Sequence, residues 1–424
     1  MVVNRPPLRF STRMCMALLV LMAFLVLHLQ RINLPISITC MINKTVSYEA
    51  NPKQITLLLK RKQYHWSESN QQLLLGAYWA GYIFTQIPVT MTLWSQWAVP
   101  EERGTLISIG YCGTHLGTAI TMFIGGILCR FITSGWLYLF LSSSLFGFLW
   151  CLLWYWKAAD SPLEHKTISD KEKQYISAGA GIMNRRKTNQ NIPWKKMLAS
   201  KPLIALISTD VLNLFGFFFF TSNLGKIMVE VHQIPVIYTG IIAAAGFLCT
   251  WFTALFSGII ADKFVRKGIM SITNTRKLSN SITSFGPCLC MISFYFCDEK
   301  QKVLSILTIL TYLACSGFGY GSGYVVNFND IIPMYSGFVF GIVNTFSSLA
   351  GVWGNMIAAI VLKESTLSNW RPLFILFSIV YFLAGVVYLP WGSALPEKWA
   401  EFPANAPNDE EVPMQDVNLN EVHA

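Results

Sequence analysis

Charge is the first thing this sequence lacks. Only 13% of its 424 residues are Asp, Glu, Lys or Arg, about half the share of an ordinary soluble domain, which excludes a large water-facing α-protein. Metal-binding patterns are missing too. Cys288-Leu289-Cys290 is the closely spaced cysteine pair, and no histidine nearby completes a zinc set. The ten cysteines fall almost entirely inside apolar runs, so we read them as small buried apolar side chains rather than disulfide partners or metal ligands. No phosphate-cradling loop and no Ser-His-Asp set in suitable context appears, which argues against an enzyme. No repeated filter-like segment suggests a channel. The formal charge of +10 invites a nucleic-acid partner, but the basic residues lie between apolar runs, a pattern of membrane topology.

Apolar length is what the chain has. Hydrophobic residues make up 53% of it, and runs of eighteen or more residues recur, each able to cross about 30 Å of hydrocarbon. Such spans must be helical, because lipid offers no partner to open backbone groups. The pattern predicts ten spans near residues 14–42, 71–94, 105–130, 135–156, 202–224, 238–262, 279–297, 303–326, 336–362 and 371–393. The first run continues through Arg31 to Met41 without a small-residue cleavage site, so it reads as a retained span rather than a signal peptide. With the N-terminus placed in the cytosol, cytosolic segments hold 20 Lys and Arg and the other side holds 11, as the positive-inside rule expects. Lys60-Arg61-Lys62 dissents locally. The sequon Asn43-Lys44-Thr45 falls on the external side, where a glycan acceptor belongs.

Four domains follow: a helical bundle over 1–156, a cytoplasmic linker over 157–201, a six-helix bundle over 202–393, and an acidic tail over 394–424 that reads as disordered. The linker carries a helix-like run from Thr167 to Ile182, with Ser169 and Glu172 at capping-box spacing. The arithmetic is odd, since four spans precede the linker and six follow it.

Four stretches carry a family resemblance: Arg31-Ile32-Asn33-Leu34; the run from Gly76 to Pro88, GAYWAGYIFTQIP; Trp94 to Arg103, WSQWAVPEER; and Asn327 to Pro333, NFNDIIP. Together, and in this order, they resemble the anion:cation symporters of the major facilitator superfamily, which include sodium–phosphate cotransporters, vesicular glutamate transporters and sialin. The resemblance spans nearly the whole chain. It implies an all-α membrane protein with the major facilitator fold, but with about ten transmembrane helices, four plus six, instead of twelve. In the family, a glycine-rich loop, a third helix and most of a fourth separate the Thr-Gln-Ile-Pro ending from the Trp-Ser-x-Trp loop. Here five residues separate Pro88 from Trp94. The resemblance implies that two helix endings have been joined here and that the helices between them are missing. A loss of two spans keeps parity, so later helices retain their orientation.

The implied function is secondary active transport of an organic anion or inorganic phosphate by alternating access, coupled to Na⁺ or H⁺, with no other cofactor. The small anion and the lipid bilayer are then its partners. The alternative is a transport-inactive truncated or splice-variant relative that partners a full-length family member. The resemblance places the chain in the plasma membrane or a lysosomal or vesicular membrane, both termini cytosolic.

Arg31 leads the candidate binding residues. It sits within an apolar run, where a charge costs several kcal/mol unless paired or hydrated, and anion-carrying family members have an arginine at the matched position. A guanidinium suits bidentate capture of carboxylate or phosphate; the competing reading is an arginine snorkelling from a helix end. Tyr82 matches the family's Gly-Tyr, and Tyr78 lies one turn away on the same face. Asp210 and Asn213 share a face of the fifth span, where several relatives have histidine or arginine. Asp210 could bind a coupling Na⁺ or proton, answer Arg31, or sit wetted near a helix mouth. Asn327 and Asn329 match the family's Asn-x-Asn, and Asn344, Ser347 and Ser348 continue a polar face that interhelix bonding explains equally well. Met334 stands where members often have arginine. His115 and the Phe217–Phe220 cluster read as packing, the latter as lipid-facing bulk. Asp262, Lys263, Arg266 and Lys267 resemble the superfamily's cytoplasmic loop motif, a gating latch between bundles. The family's arginine and glutamate of the missing helix have no counterpart here.

Overall fold

The structure is a computed structural model. It describes residues 6–8, 11–42, 64, 66–85, 93, 97, 100–132, 134–162, 164–176, 192–298, 300–333, 335–364 and 366–400, with the side chains of 81–85, 100–105, 107–108 and 111–112 left out. Asn43, Met334, the Tyr82 side chain, most of the Pro88–Trp94 junction and the tail beyond 400 lie outside the described residues.

Each predicted span corresponds to a long helix. These are α1 (Thr12–Met41), α2 (Glu68–Thr85), α3 (Pro100–Phe131) and α4 (Gly135–Lys157) before the linker. A short α5 (Trp194–Ala199) then leads into α6 (Lys201–Lys226), α7 (Val236–Arg266) and α8 (Ile272–Phe296). The chain ends with α9 (Lys302–Gly321), the short α10 (Tyr324–Ile331), α11 (Ser336–Val361) and α12 (Leu367–Trp391). Eight of the ten long helices are apolar enough to cross a bilayer on their own account. The exceptions, α2 and α8, carry polar residues that face protein: Gln71, Gln72, Asn280 and Ser284 are all buried.

Local chemistry sets the helix ends. Ser11 and Ser200 each accept a backbone N–H in the first turn of α1 and α6. Predicted capping at Ser169 is present, with Glu172 N–H pointing to Ser169 Oγ. The Glu172 carboxylate, however, turns to α1, where it accepts from Thr12 N, Arg13 N and Arg13 Nε. An acid at a helix N-terminus answers its dipole, so the linker is fastened to the start of α1. Inside α1, Pro35 has no N–H for the Arg31 carbonyl, which loosens the helix at its one central charge.

Small residues let the helices approach. A Cβ on Gly113 would lie 2.1 Å from the Leu21 carbonyl, and one on Gly117 2.4 Å from that of Leu25, so α3 lies along most of α1. The helix α3 also crosses α7, where Gly126 meets Gly240. The second helix behaves differently from its neighbours in sequence. It packs chiefly on α11, where Trp79 covers Gly351, and its side chains also meet α6; it touches α1 through Trp79 beneath Arg31 and through the small cluster of Leu34, Ile38, Ile42 and Leu75.

Two expectations need correction. Cys40 and Cys129 form a disulfide joining the ends of α1 and α3, so these two are not free thiols. Both sit inside apolar runs 89 residues apart, a separation that carries no pairing signal. The Phe217–Phe220 cluster is not lipid-facing bulk: Phe218, Phe219 and Phe220 are buried. Phe219 stacks on Phe377, and Phe220 lies 4.0 Å from the Tyr312 ring centroid.

Candidate substrate cavity

Arg31 lies about 28 Å along α1 from Thr12, at 1.5 Å per residue, well away from either end. Its guanidinium carbon stands 4.1 Å from the Trp79 ring centroid and 4.7 Å from that of Phe218. Those rings stack on each other at 4.0 Å, so one cation from α1 meets π-faces from α2 and α6. His28 Nδ1 donates to the Phe24 carbonyl at 2.9 Å, which leaves Nε2 as the acceptor toward Arg31 Nη1 at 3.4 Å. Tyr78, Thr221, Ser222 and Pro35 complete a small cavity around the guanidinium. Trp79 Nε1 donates to Ser222 Oγ. The free space is about that of a single water, so an organic guest would have to part these walls.

One step toward the far end, opposite the linker, the junction closes with polar groups that sequence reasoning missed. Lys226 on α6 is fully buried, and its Nζ lies 2.6 Å from both Glu68 Oε2 and Gln71 Oε1 of α2. Glu230 stands 3.9 Å away on the Lys226 side. Gln72 donates to Asn223, and Asn223 donates to Asn355 of α11. Lys226 ends an apolar span and Glu68 begins one, so each reads from sequence as an ordinary interfacial charge. Only their meeting makes them a buried pair.

The other predicted residues scatter. Tyr78 lines the cavity. His115 sets its ring 5.4 Å from Tyr320, across the junction from α3 to α9. Asn213 is buried within the second half, donating to Ser284 Oγ at 3.0 Å and the Thr209 carbonyl at 2.9 Å. Asn327 is likewise buried and donates to Tyr388 Oη and the Ser393 carbonyl, whereas Asn329 is exposed. Asn344 is half-buried, its carbonyl accepting from Ser348. Asp262, Lys263, Arg266 and Lys267 are exposed at the linker end, and Arg266 Nε donates to the Asp262 carbonyl. The ion pairs described at that end stay on one side of the junction: the buried Arg13 with Glu172, and Arg276 with the half-buried Asp330. Asp210 is buried.

Residues 85–354 match the family described as the Major Facilitator Superfamily. The chain belongs to that superfamily. Among its relatives, human sialin is 27% identical over 93% of this chain and 92% of its own length. Vesicular glutamate transporter 1 of Xenopus laevis is 27% identical over 88% of this chain and 73% of its own. Both bear out the anion:cation symporter resemblance, and both are transporters rather than enzymes. Among solved structures, a D-xylose–proton symporter superposes with a TM-score of 0.55 at 12% identity, covering 91% of this chain and 99% of that one. A bacterial homologue of the human lysosomal transporter Spinster, inward-facing, gives 0.55 at 12%, covering 89% and 96%. At that identity the likeness concerns fold alone. This major facilitator chain is thus a multi-pass membrane protein.

Proposed function

We propose that the chain is an organic-anion carrier by descent, with Arg31 as the anchor for the anion's charge. One observation carries the reading: the guanidinium sits deep in the bundle, at a junction of α1, α2 and α6, against the small cavity they enclose. A single cation among aromatic and hydroxyl groups matches a monocarboxylate better than a dianionic phosphate, whose second charge would lie uncompensated in low dielectric. The contacts between the two halves gather at the far end, which supports a conformation open toward the linker. A disulfide at the far end supports placing that end on the oxidising side, hence both termini in the cytosol. Na⁺ or H⁺ is the proposed coupling ion. Uptake into vesicles tests the reading: substrate-dependent monocarboxylate accumulation should exceed that of an Arg31→Ala control, and equal uptake by the two would end it.

A second reading, that this chain transports poorly or not at all, draws on a specific observation. The alignment with human sialin is 464 positions long, whereas 93% of 424 residues is about 394. About 70 positions therefore face gaps in this chain, enough for two helices and a loop. The packing of α2 on the second half, with little held against α1, fits a first half that lacks the helices between Pro88 and Trp94. Sequencing the transcript decides it: an exon encoding two further helices at that junction would show the present chain to be incomplete, and an uninterrupted reading frame would show it whole.

A further inference from the structure

At the linker end, α5 shows an apolar face that no described helix covers. Trp194 is 49% exposed and Leu198 74%; four residues apart, they lie on one side of the helix. Met197 points the other way, into the buried cluster that includes Leu203, Phe328 and Val339. Lys195, Lys196 and Lys201 are exposed around the apolar face. None of the three makes an ion pair among the described residues, and from Lys173 to Thr209 the sequence holds no Asp or Glu. The acid that reaches this corner is Glu397, which accepts from Ser200 Oγ at 2.6 Å and from Trp399 Nε1 at 3.1 Å.

A ring contact fixes where α5 lies. Trp194 and Phe338 meet edge to face, with ring centroids 5.6 Å apart. Phe338 stands in the first turn of α11 and shares an exposed stripe with Phe346, Trp353 and Ile360, which follow at intervals of seven or eight residues. On a spanning helix so large an apolar stripe is the side turned to lipid, since water would oppose its exposure. The span α11 starts at the linker end, so its first turn is level with the headgroups of the leaflet on that side. Trp194 therefore sits at the rim of the bundle, beside lipid.

We propose that α5 is a docking surface for anionic phospholipid headgroups of that leaflet. Trp194 and Leu198 enter the interface, and Lys195, Lys196 and Lys201 meet the negative charge. An excess of Lys and Arg is ordinary on the cytosolic side of any span, and it accounts for the lysines alone. It does not account for an exposed Trp and Leu on one face of a six-residue helix that crosses nothing. Indole suits the headgroup level, with an apolar body and a polar N–H, and lysine stems lie along apolar surface while their charges reach outward.

The docking has a mechanical consequence. Ser200 follows α5 directly and caps α6, accepting from Leu203 N at 3.3 Å. A lipid-bound α5 thus pins the first turn of α6 at headgroup depth. The other end of the linker is held to α1 through Glu172, so one end is fixed on protein and one at the leaflet. None of this rests on Arg31 or on any substrate.

Thermal unfolding of the purified full chain in nonionic-detergent micelles tests the surface, with phosphatidylserine, phosphatidylcholine or inorganic phosphate added. Phosphatidylserine should raise Tm along a saturation curve that the other two do not reproduce, and about 0.5 M NaCl should weaken the response. The combined variant Lys195→Gln, Lys196→Gln, Lys201→Gln should raise the half-saturating lipid fraction at least about tenfold. Leu198→Gln, which changes no charge, should raise it about threefold. The pair Lys263→Gln and Lys267→Gln, exposed at the same end of the molecule but after α7, should leave it unchanged. Equal responses to the two lipids, or an undiminished response in the triple variant, would overturn the surface. So would an equal loss in the Lys263 and Lys267 pair, which assigns the effect to the whole cytosolic face, or an equal response to inorganic phosphate, which assigns it to a free anion. If the triple variant elutes as an aggregate, Leu198→Gln decides instead, an unchanged half-saturation overturning the surface.

Discussion

Two cations, the half-buried Arg31 and the fully buried Lys226, organise the junction by different means. Arg31 is met by π-faces from α2 and α6 and by a histidine lone pair. Arg31→Lys should keep the charge yet lose the planar face and the fork; binding of a monocarboxylate, measured by scintillation proximity, should weaken at least about tenfold. Lys226 instead holds Glu68 directly, with Glu230 nearby. Lys226→Met leaves buried carboxylates uncompensated and should cost about 3–5 kcal/mol. Adding Glu68→Met to it should recover much of the loss. That double-mutant cycle, read by thermal unfolding, fails if the two effects simply add. His232, just beyond the end of the α6 span, gives a pH signature. Burial lowers its pKa to about 4, while Nδ1 faces Ser305 Oγ at 3.1 Å. The unfolded chain takes up a proton first, so its stabilising contribution is full above about pH 6.5 and falls as the pH drops toward 4. His232→Gln should flatten Tm between those limits.

Elements hold one another here through close backbone approach rather than through hydrophobic exclusion, since lipid competes equally for apolar faces. Gly113 and Gly117 make the α1–α3 contact possible, and the Cys40–Cys129 disulfide closes its far end. Gly113→Leu should push the helices apart and lower the yield of folded chain in fluorescence-detected size exclusion, where Gly341→Ala, with open space around it, should not. Proteolysis without reductant should release a cross-linked peptide spanning Cys40 and Cys129. Two separate peptides would mean the bond does not form. The element hardest to foresee is α2. Its sequence neighbours suggest membership in the first bundle, but Trp79, Gln71 and Gln72 hydrogen-bond to α6, and Trp79 also covers Gly351 of α11.

For the whole molecule, the decisive feature is the junction after Pro88. If the chain lacks two helices there, restoring a relative's segment between Pro88 and Trp94 should raise monocarboxylate uptake at least about tenfold over the chain as it stands.

Periodicity and apolar length alone located the ten long helices among the described residues, because a span must satisfy its own backbone and therefore writes its length into the sequence. The Arg31 cavity was half legible. A charge within an apolar run announces itself, but Trp79 and Phe218 look like any other aromatic residues until α2 and α6 bring them together. Lys226 and Glu68 show the same limit, since each sits at a span end where charge is ordinary. The chain's own order thus determined which segments cross the membrane, their alternation and the one internal arginine. Tertiary structure alone decided which charges became buried partners and which cysteines met, because contacts between residues tens to hundreds of positions apart leave no periodic trace in either segment.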